Sequence, residues 1–151
     1  MTAIKLVSIN VERSKHLSLA LPFLEKEAAE VVCIQELCER DIQRFENILG
    51  ACRVYAPSGI HPPEATEEES VVVGVGIFSR QEMVSSNVQY YVGSERSARS
   101  GPVHRIFSTS ALVACELEKE STRFRIMTTH FTWSSHGQVI DAQRRDMEAL
   151  L

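Results

Sequence analysis

Val31-Val32-Cys33-Ile34-Gln35-Glu36 begins as four consecutive apolar residues and stops on a glutamine and a glutamate. An unbroken apolar run of this length reads as a strand buried on both faces, as in a largely parallel sheet covered by helices. A carboxylate at the end of such a strand sits at its C-terminal mouth. In open α/β sheets that mouth is a crevice where ligands and hard, oxygen-liganded cations such as Mg²⁺ can be held. Taken alone, Glu36 serves equally well as a cap for the helix that follows.

The flanks extend the pattern. Residues 4–9 form a short alternating strand ending on Asn10. From Ser14 onward Leu17, Leu21, Leu24 and Ala28 recur on one helical stripe, with Pro22 expected to kink or restart the helix. Residues 39–50 predict a second helix that carries Ile42, Phe45 and Leu49 inward and ends at Gly50. Strand, helix, strand, helix is the start of an α/β layer.

Arg53 to Ala56 predicts a further strand that runs into a turn at Pro57-Ser58-Gly59. Residues 60–70, with Glu64, Glu67, Glu68 and Glu69, predict an exposed acidic loop. Residues 71–79 are strongly β-prone, and Gly74 and Gly76 indicate a bulge or close approach to another backbone. A weaker strand over 88–92 leads into a polar loop over 93–105, whose Arg96, Arg99 and Arg105 could meet phosphate or simply lie in solvent. Residues 106–118 and 122–129 predict an antiparallel hairpin whose second strand runs into His130. After a loop holding Trp133, residues 138–151 predict an amphipathic helix with Ile140, Met147, Leu150 and Leu151 apolar.

The 151 residues fit one domain, and 44% hydrophobic with 24% charged residues is ordinary for a soluble globular protein. A net charge of -4 argues against gripping nucleic acid through a broad basic surface, while leaving room for an enzyme that meets one phosphate through a metal. Cys33, Cys38, Cys52 and Cys115 are scattered among apolar neighbours with no C-x-x-C spacing, as expected of reduced core thiols. With no signal-like start and no run of membrane-spanning length, the expectation is a cytoplasmic protein.

Asn10, Glu36 and His130 each follow an apolar strand. Converging on one sheet edge, they would combine a cation-binding carboxylate, an amide able to position phosphate or water, and an imidazole able to hold a phosphoryl oxygen or shuttle a proton. The strings around them, Ile4-Lys5-Leu6-Val7-Ser8-Ile9-Asn10, the Val31 to Glu36 run, Gly76-Ile77-Phe78-Ser79-Arg80, and Met127-Thr128-Thr129-His130-Phe131 with a Gln143-Arg144-Arg145-Asp146 helix, resemble the endonuclease/exonuclease/phosphatase superfamily in order and spacing. That resemblance implies a deoxyribonuclease-I-like four-layer α/β sandwich with mixed sheets. It also implies Mg²⁺-dependent hydrolysis of phosphodiesters or phosphomonoesters, with Mn²⁺ as a substitute ion.

By position, the resemblance makes Glu36 the metal-binding glutamate and Asn10 the asparagine that places phosphate and the metal's waters. His130 corresponds to the histidine that contacts phosphate or transfers a proton, and Glu12 to a site where some relatives carry an aspartate near the metal. The superfamily's later Gly-Asp-x-Asn and Asp-His motifs do not occur, and the usual Arg-x-x-Gln of the last helix is altered around Gln143 and Asp146. The expectation is therefore residues 1–151 as the N-terminal portion of the domain, incomplete at the C-terminus, with a second chain or a homodimer covering the open face. A catalytically silent family member acting as a binding module is the alternative. An unrelated α/β protein, whose Glu36 and His130 only cap elements, would hold those side chains apart.

Overall fold

A computed structural model of the chain describes residues 2–63, 69–101, 109–132, 134 and 137–151, and the side chain of Cys52 is outside that description. The expectations for Glu64, Glu67, Glu68, Arg105, Trp133 and the first residues of the hairpin's leading strand fall outside the described residues.

Two sheets make the frame. The first has the order β1-β2-β4-β3, from β1 (Leu6–Asn10), β2 (Val31–Cys38), β4 (Val71–Ser79) and β3 (Cys52–His61). The second is the antiparallel set β5 (Met83–Val92), β6 (Ser110–Lys119) and β7 (Thr122–Thr129). Only β1 and β2 run parallel, through the crossover helix α1 (Leu17–Glu27); β4 is antiparallel to both β2 and β3. The sheet is thus mixed rather than largely parallel, because β3 and β4 return as an antiparallel pair instead of through another crossover helix.

The apolar run behaves as its composition requires. Val32 and Ile34 face a core built with Leu17, Leu24, Phe45 and Leu49 of α1 and α2 (Ile42–Leu49), while Val31 and Cys33 face a second core shared with Val113, Cys115, Leu117 and Ile126 of the other sheet. Burial on both faces is what removes alternation from this strand. The layers follow: helices α1 and α2, then the first sheet, then the second sheet, with α4 (Asp141–Leu150) beside β5.

Several local expectations are corrected. Helix α1 runs on through Pro22, whose side is exposed to solvent, and its buried residues are Leu17, Ala20 and Leu24. Ala28 is not on the stripe but forms the left-handed C-cap at φ 47°, its N–H donating to the Leu24 and Glu25 carbonyls to close the helix. A 3₁₀ turn, Glu39–Asp41, precedes α2, so that helix starts later than its pattern suggests. The segment Pro57-Ser58-Gly59 is no turn: β3 continues to His61, and the extra residue is absorbed as a register shift between Pro57 and Gly59.

The polar stretch after Val92 contains helix α3 (Glu95–Ser100), nucleated by reciprocal bonds between Ser94 and Ser97. At Gly74 a Cβ would lie 2.2 Å from the Ala56 carbonyl oxygen, which is the close backbone approach read from the sequence. Cys33, Cys38 and Cys115 are buried and not joined in disulfides.

Candidate functional site

The site is built on two strand tips and a bulge. Strand β1 brings Asn10 level with Gln35 of β2, and Val11 N–H donates to the Gln35 carbonyl at 3.1 Å. Strand β2 does not stop at Glu36, as its polar residues suggest. It continues to Cys38 through a bulge between Ile34 and Leu37, and Leu37 and Cys38 are again buried. The bulge turns Glu36 outward with φ 55°, and Arg13 N–H fixes it from the β1 side by donating to the Glu36 carbonyl at 3.0 Å. Glu12 and Arg13 are left-handed as well, at φ 44° and 64°. Three left-handed non-glycine residues in this region, of which Arg13 and Glu36 are bonded to each other across the strand ends, concentrate strain at one place.

The structure brings Asn10, Glu36 and His130 together. Asn10 Nδ2 donates to Glu36 Oε1 at 2.9 Å, and His130 Nε2 lies 3.3 Å from that same oxygen. Asn10 Oδ1 accepts from Glu12 N–H at 2.8 Å, so the amide's orientation is fixed by a donor it cannot exchange. The side chains of Glu36 and His130 are 14% and 20% exposed, which is accessible enough for a ligand and dry enough to strengthen charge interactions.

Glu12 stands beside this group with its carboxylate turned elsewhere. It accepts from Lys15 Nζ at 2.7 Å and pairs with His16 Nε2 at 3.0 Å. The bond from Lys15, then that from His16, holds the Glu12 carboxyl below the usual carboxylate range. Arg99, read as a possible phosphate contact, is committed to carboxylates. Its Nη1 and Nη2 fork onto Glu39 at 3.0 and 2.8 Å and its Nε meets Glu95 at 3.1 Å, bonds that push the guanidinium pKa further up.

Residues that the sequence left without a role hold His130 in place. Thr129 Oγ1 donates to the Ala111 carbonyl at 2.8 Å and so accepts from Tyr91 Oη at 2.9 Å. Tyr91 in turn stacks on Phe131 with centroids 6.5 Å apart. After His130, Thr132 is gripped twice by α4: its carbonyl accepts from Gln143 Nε2 at 2.8 Å and its hydroxyl bonds to Asp146. The altered Gln143 and Asp146 positions therefore have a positional job here. Across the bulge, Arg13 Nη1 donates to His61 Nε2 at 3.0 Å while His61 Nδ1–H donates to the Pro62 carbonyl at 2.7 Å, a pairing that selects one neutral imidazole tautomer.

No family model matches the sequence, and no curated protein matches it either. Solved structures do match. An endonuclease/exonuclease/phosphatase family protein from Leptotrichia buccalis C-1013-b aligns with TM-score 0.63 and 11% identity, covering 98% of this chain and 60% of its own. The fold is the endonuclease/exonuclease/phosphatase fold. The endonuclease/exonuclease/phosphatase from Bacteroides vulgatus gives TM-score 0.62 at 13% identity over 99% of this chain and 59% of that one. The human Nocturnin catalytic domain, solved with a bound sulfate anion, gives 0.64 at 15% identity over 88% and 51%. This chain thus spans about half to three fifths of the structures it resembles, and within that span it has their mixed, two-sheet α/β sandwich.

The donor set suits one kind of metal site. Among the described residues no group of three or more His, Cys, Asp or Glu side chains stands together as a ready cage. A lone carboxylate beside an amide suits Mg²⁺, which keeps several waters and takes one or two carboxylates together with substrate phosphate oxygens. It suits Zn²⁺ less well, because zinc takes three or four His, Cys, Asp or Glu ligands. Among the described residues no helix is long and apolar enough to cross a membrane.

Proposed function

We propose that this chain carries the strand-tip half of a Mg²⁺-dependent phosphoesterase site, with Mn²⁺ an acceptable substitute, acting on phosphodiesters or phosphomonoesters. The observation that carries the reading is Glu36 Oε1 receiving Asn10 Nδ2 at 2.9 Å and His130 Nε2 at 3.3 Å, at the mouth of strands that belong to two different sheets. Three residue types chosen for phosphoryl chemistry meet there from positions 10, 36 and 130.

Glu36 would hold the ion, which when bound neutralises charge on the phosphoryl oxygens and lowers the pKa of bound water or of the leaving alkoxide. Asn10 restrains the carboxylate through Oε1 and leaves Oε2 outside the two bonds described. His130 presents Nε2 at the same point, where it donates to a phosphoryl oxygen or passes a proton, an effect typically worth about 10²- to 10⁴-fold in rate. The ordered Asn10–Glu36 bond means the carboxylate need not reorganise when the ion arrives.

Strands β1 and β7, each at one edge of its sheet, carry Leu6 and Met127 at 45% and 51% exposure. Our reading includes a covering partner along these edges, either further polypeptide, a second copy or another chain. Sedimentation of this chain as a cooperative folded monomer would remove the need for one. A panel of chromogenic phosphodiesters and phosphomonoesters with and without Mg²⁺, run on the whole protein and its Glu36→Gln variant, tests the activity. Hydrolysis should require the ion and vanish in the variant while the melting temperature holds. Hydrolysis that survives Glu36→Gln would end the metal assignment.

A further inference from the structure

Glu36 belongs to the first sheet and His130 hangs from the last strand of the second, so their 3.3 Å contact depends on how two independent layers sit on one another. Face-to-face sheets interlock mainly through non-directional apolar packing, which resists separation better than small slips. A directional bond close to the contact would set the offset. Gln35, next to Glu36 in the bulge, supplies one: its Nε2 donates to Thr128 Oγ1 at 2.9 Å, and also reaches Ser8 Oγ of β1 at 3.2 Å.

Both ends of this bridge are anchored. On the Gln35 side, its carbonyl accepts Val11 N–H and the next carbonyl accepts Arg13 N–H, locking the bulge to the β1 tip. On the Thr128 side, the side chain is buried between the sheets, and Thr129 is tied to Ala111 and Tyr91. Gln35 is adjacent to Glu36, and only Thr129 separates Thr128 from His130. The bridge therefore spans the gap immediately beneath the functional pair, and an error in its length is passed to that pair almost undiminished.

Resting on the phosphoesterase reading, we propose that Gln35 and Thr128 form a positioning pair that fixes the offset between the sheets and thereby holds His130 Nε2 against Glu36. Neither side chain touches substrate in this role. A displacement of about 1 Å at a reacting group can cost about 10²-fold in rate without altering affinity.

Thr128→Val keeps the shape and removes the acceptor; Thr128→Ser keeps the hydroxyl and removes a methyl. On the whole protein with Mg²⁺ and bis(p-nitrophenyl) phosphate, Thr128→Val should lower kcat about 10- to 100-fold with KM within about threefold of wild type, and Thr128→Ser should restore most of the loss. Independently of turnover, the His130 imidazole ¹⁵N resonances of Thr128→Val should move toward those of Glu36→Gln, while those of Thr128→Ser stay near wild type. Unmoved His130 resonances in Thr128→Val would overturn the proposal, as would equal losses in Val and Ser that follow melting temperature. Activity that survives Glu36→Gln would instead sink the phosphoesterase reading. Loss in Glu36→Gln with a wild-type Thr128→Val would sink the positioning pair alone.

Discussion

Glu36→Gly and Glu36→Ala form a pair in which the usual ranking of the two residues should invert. In an ordinary strand glycine is the less stable by roughly 0.5–1 kcal/mol, because it loses more backbone freedom on folding. At Glu36 the backbone is left-handed, φ 55°, where a Cβ costs about 1–2 kcal/mol. Relief of that cost outweighs the entropy term, so glycine should exceed alanine by about 0.5–1 kcal/mol. Both variants lose the carboxylate that Asn10 and His130 meet at 2.9 and 3.3 Å, so each should fall below wild type by about 1–3 kcal/mol. For a chain of this length the glycine–alanine gap corresponds to a melting difference of about 1–4 °C, within reach of paired thermal scans backed by urea midpoints. An alanine variant as stable as the glycine variant, or more so, would mean that the bulge does not hold this residue left-handed.

Other outcomes follow from single contacts. Gly74→Ala places a Cβ 2.2 Å from a backbone carbonyl that cannot swing away, so it should lose at least about 1–3 kcal/mol in chemical denaturation. Phe45→Ala removes a fully buried ring packed 5.8 Å from Phe78 and should cost about 3–5 kcal/mol by the same measurement. Glu30 accepts from Lys119 Nζ at 2.6 Å and from Lys5 N–H at 3.0 Å, and these bonds, the Lys119 one foremost, hold its carboxyl below the ordinary range. A carboxyl lower in the folded state stabilises above the unfolded value and loses that contribution as pH falls through the folded one. Urea midpoints of wild type should therefore drop between about pH 5 and 3 more steeply than those of Glu30→Gln.

What could be read in advance was whatever one strand carries by itself. The run Val31 to Ile34 announces its two buried faces, the tips Asn10 and His130 announce where apolar strands stop, and the hairpin over β6 and β7 is marked by its Glu-Ser turn. The exit of β2 is hidden in the sequence because two adjacent polar residues look like an ending, and only the buried Leu37 and Cys38 beyond them reveal an interruption instead. The same ambiguity hides the irregularity in β3, since Pro57 and Gly59 belong equally to a turn and to a bulge. Helix α3 lacks an apolar stripe and depends on Ser94 and Ser97, a weak local signal. Gln35 gives no signal at all, because its partner Thr128 lies 93 positions away and only packing of the two sheets brings them together.

The Cys33 thiol lies beside Thr128 in the core between the layers, where burial pushes its pKa up to about 11. At neutral pH roughly one molecule in ten thousand would carry the reactive thiolate there, even before access is counted. Alkylating reagents can then reach this sulfur only in the moments when the layers part, so its labelling rate is a clock for how often the molecule breathes open. Peptide mapping of the label on Cys33, kept apart from Cys38, Cys52 and Cys115, would read that breathing with no engineered probe in the chain.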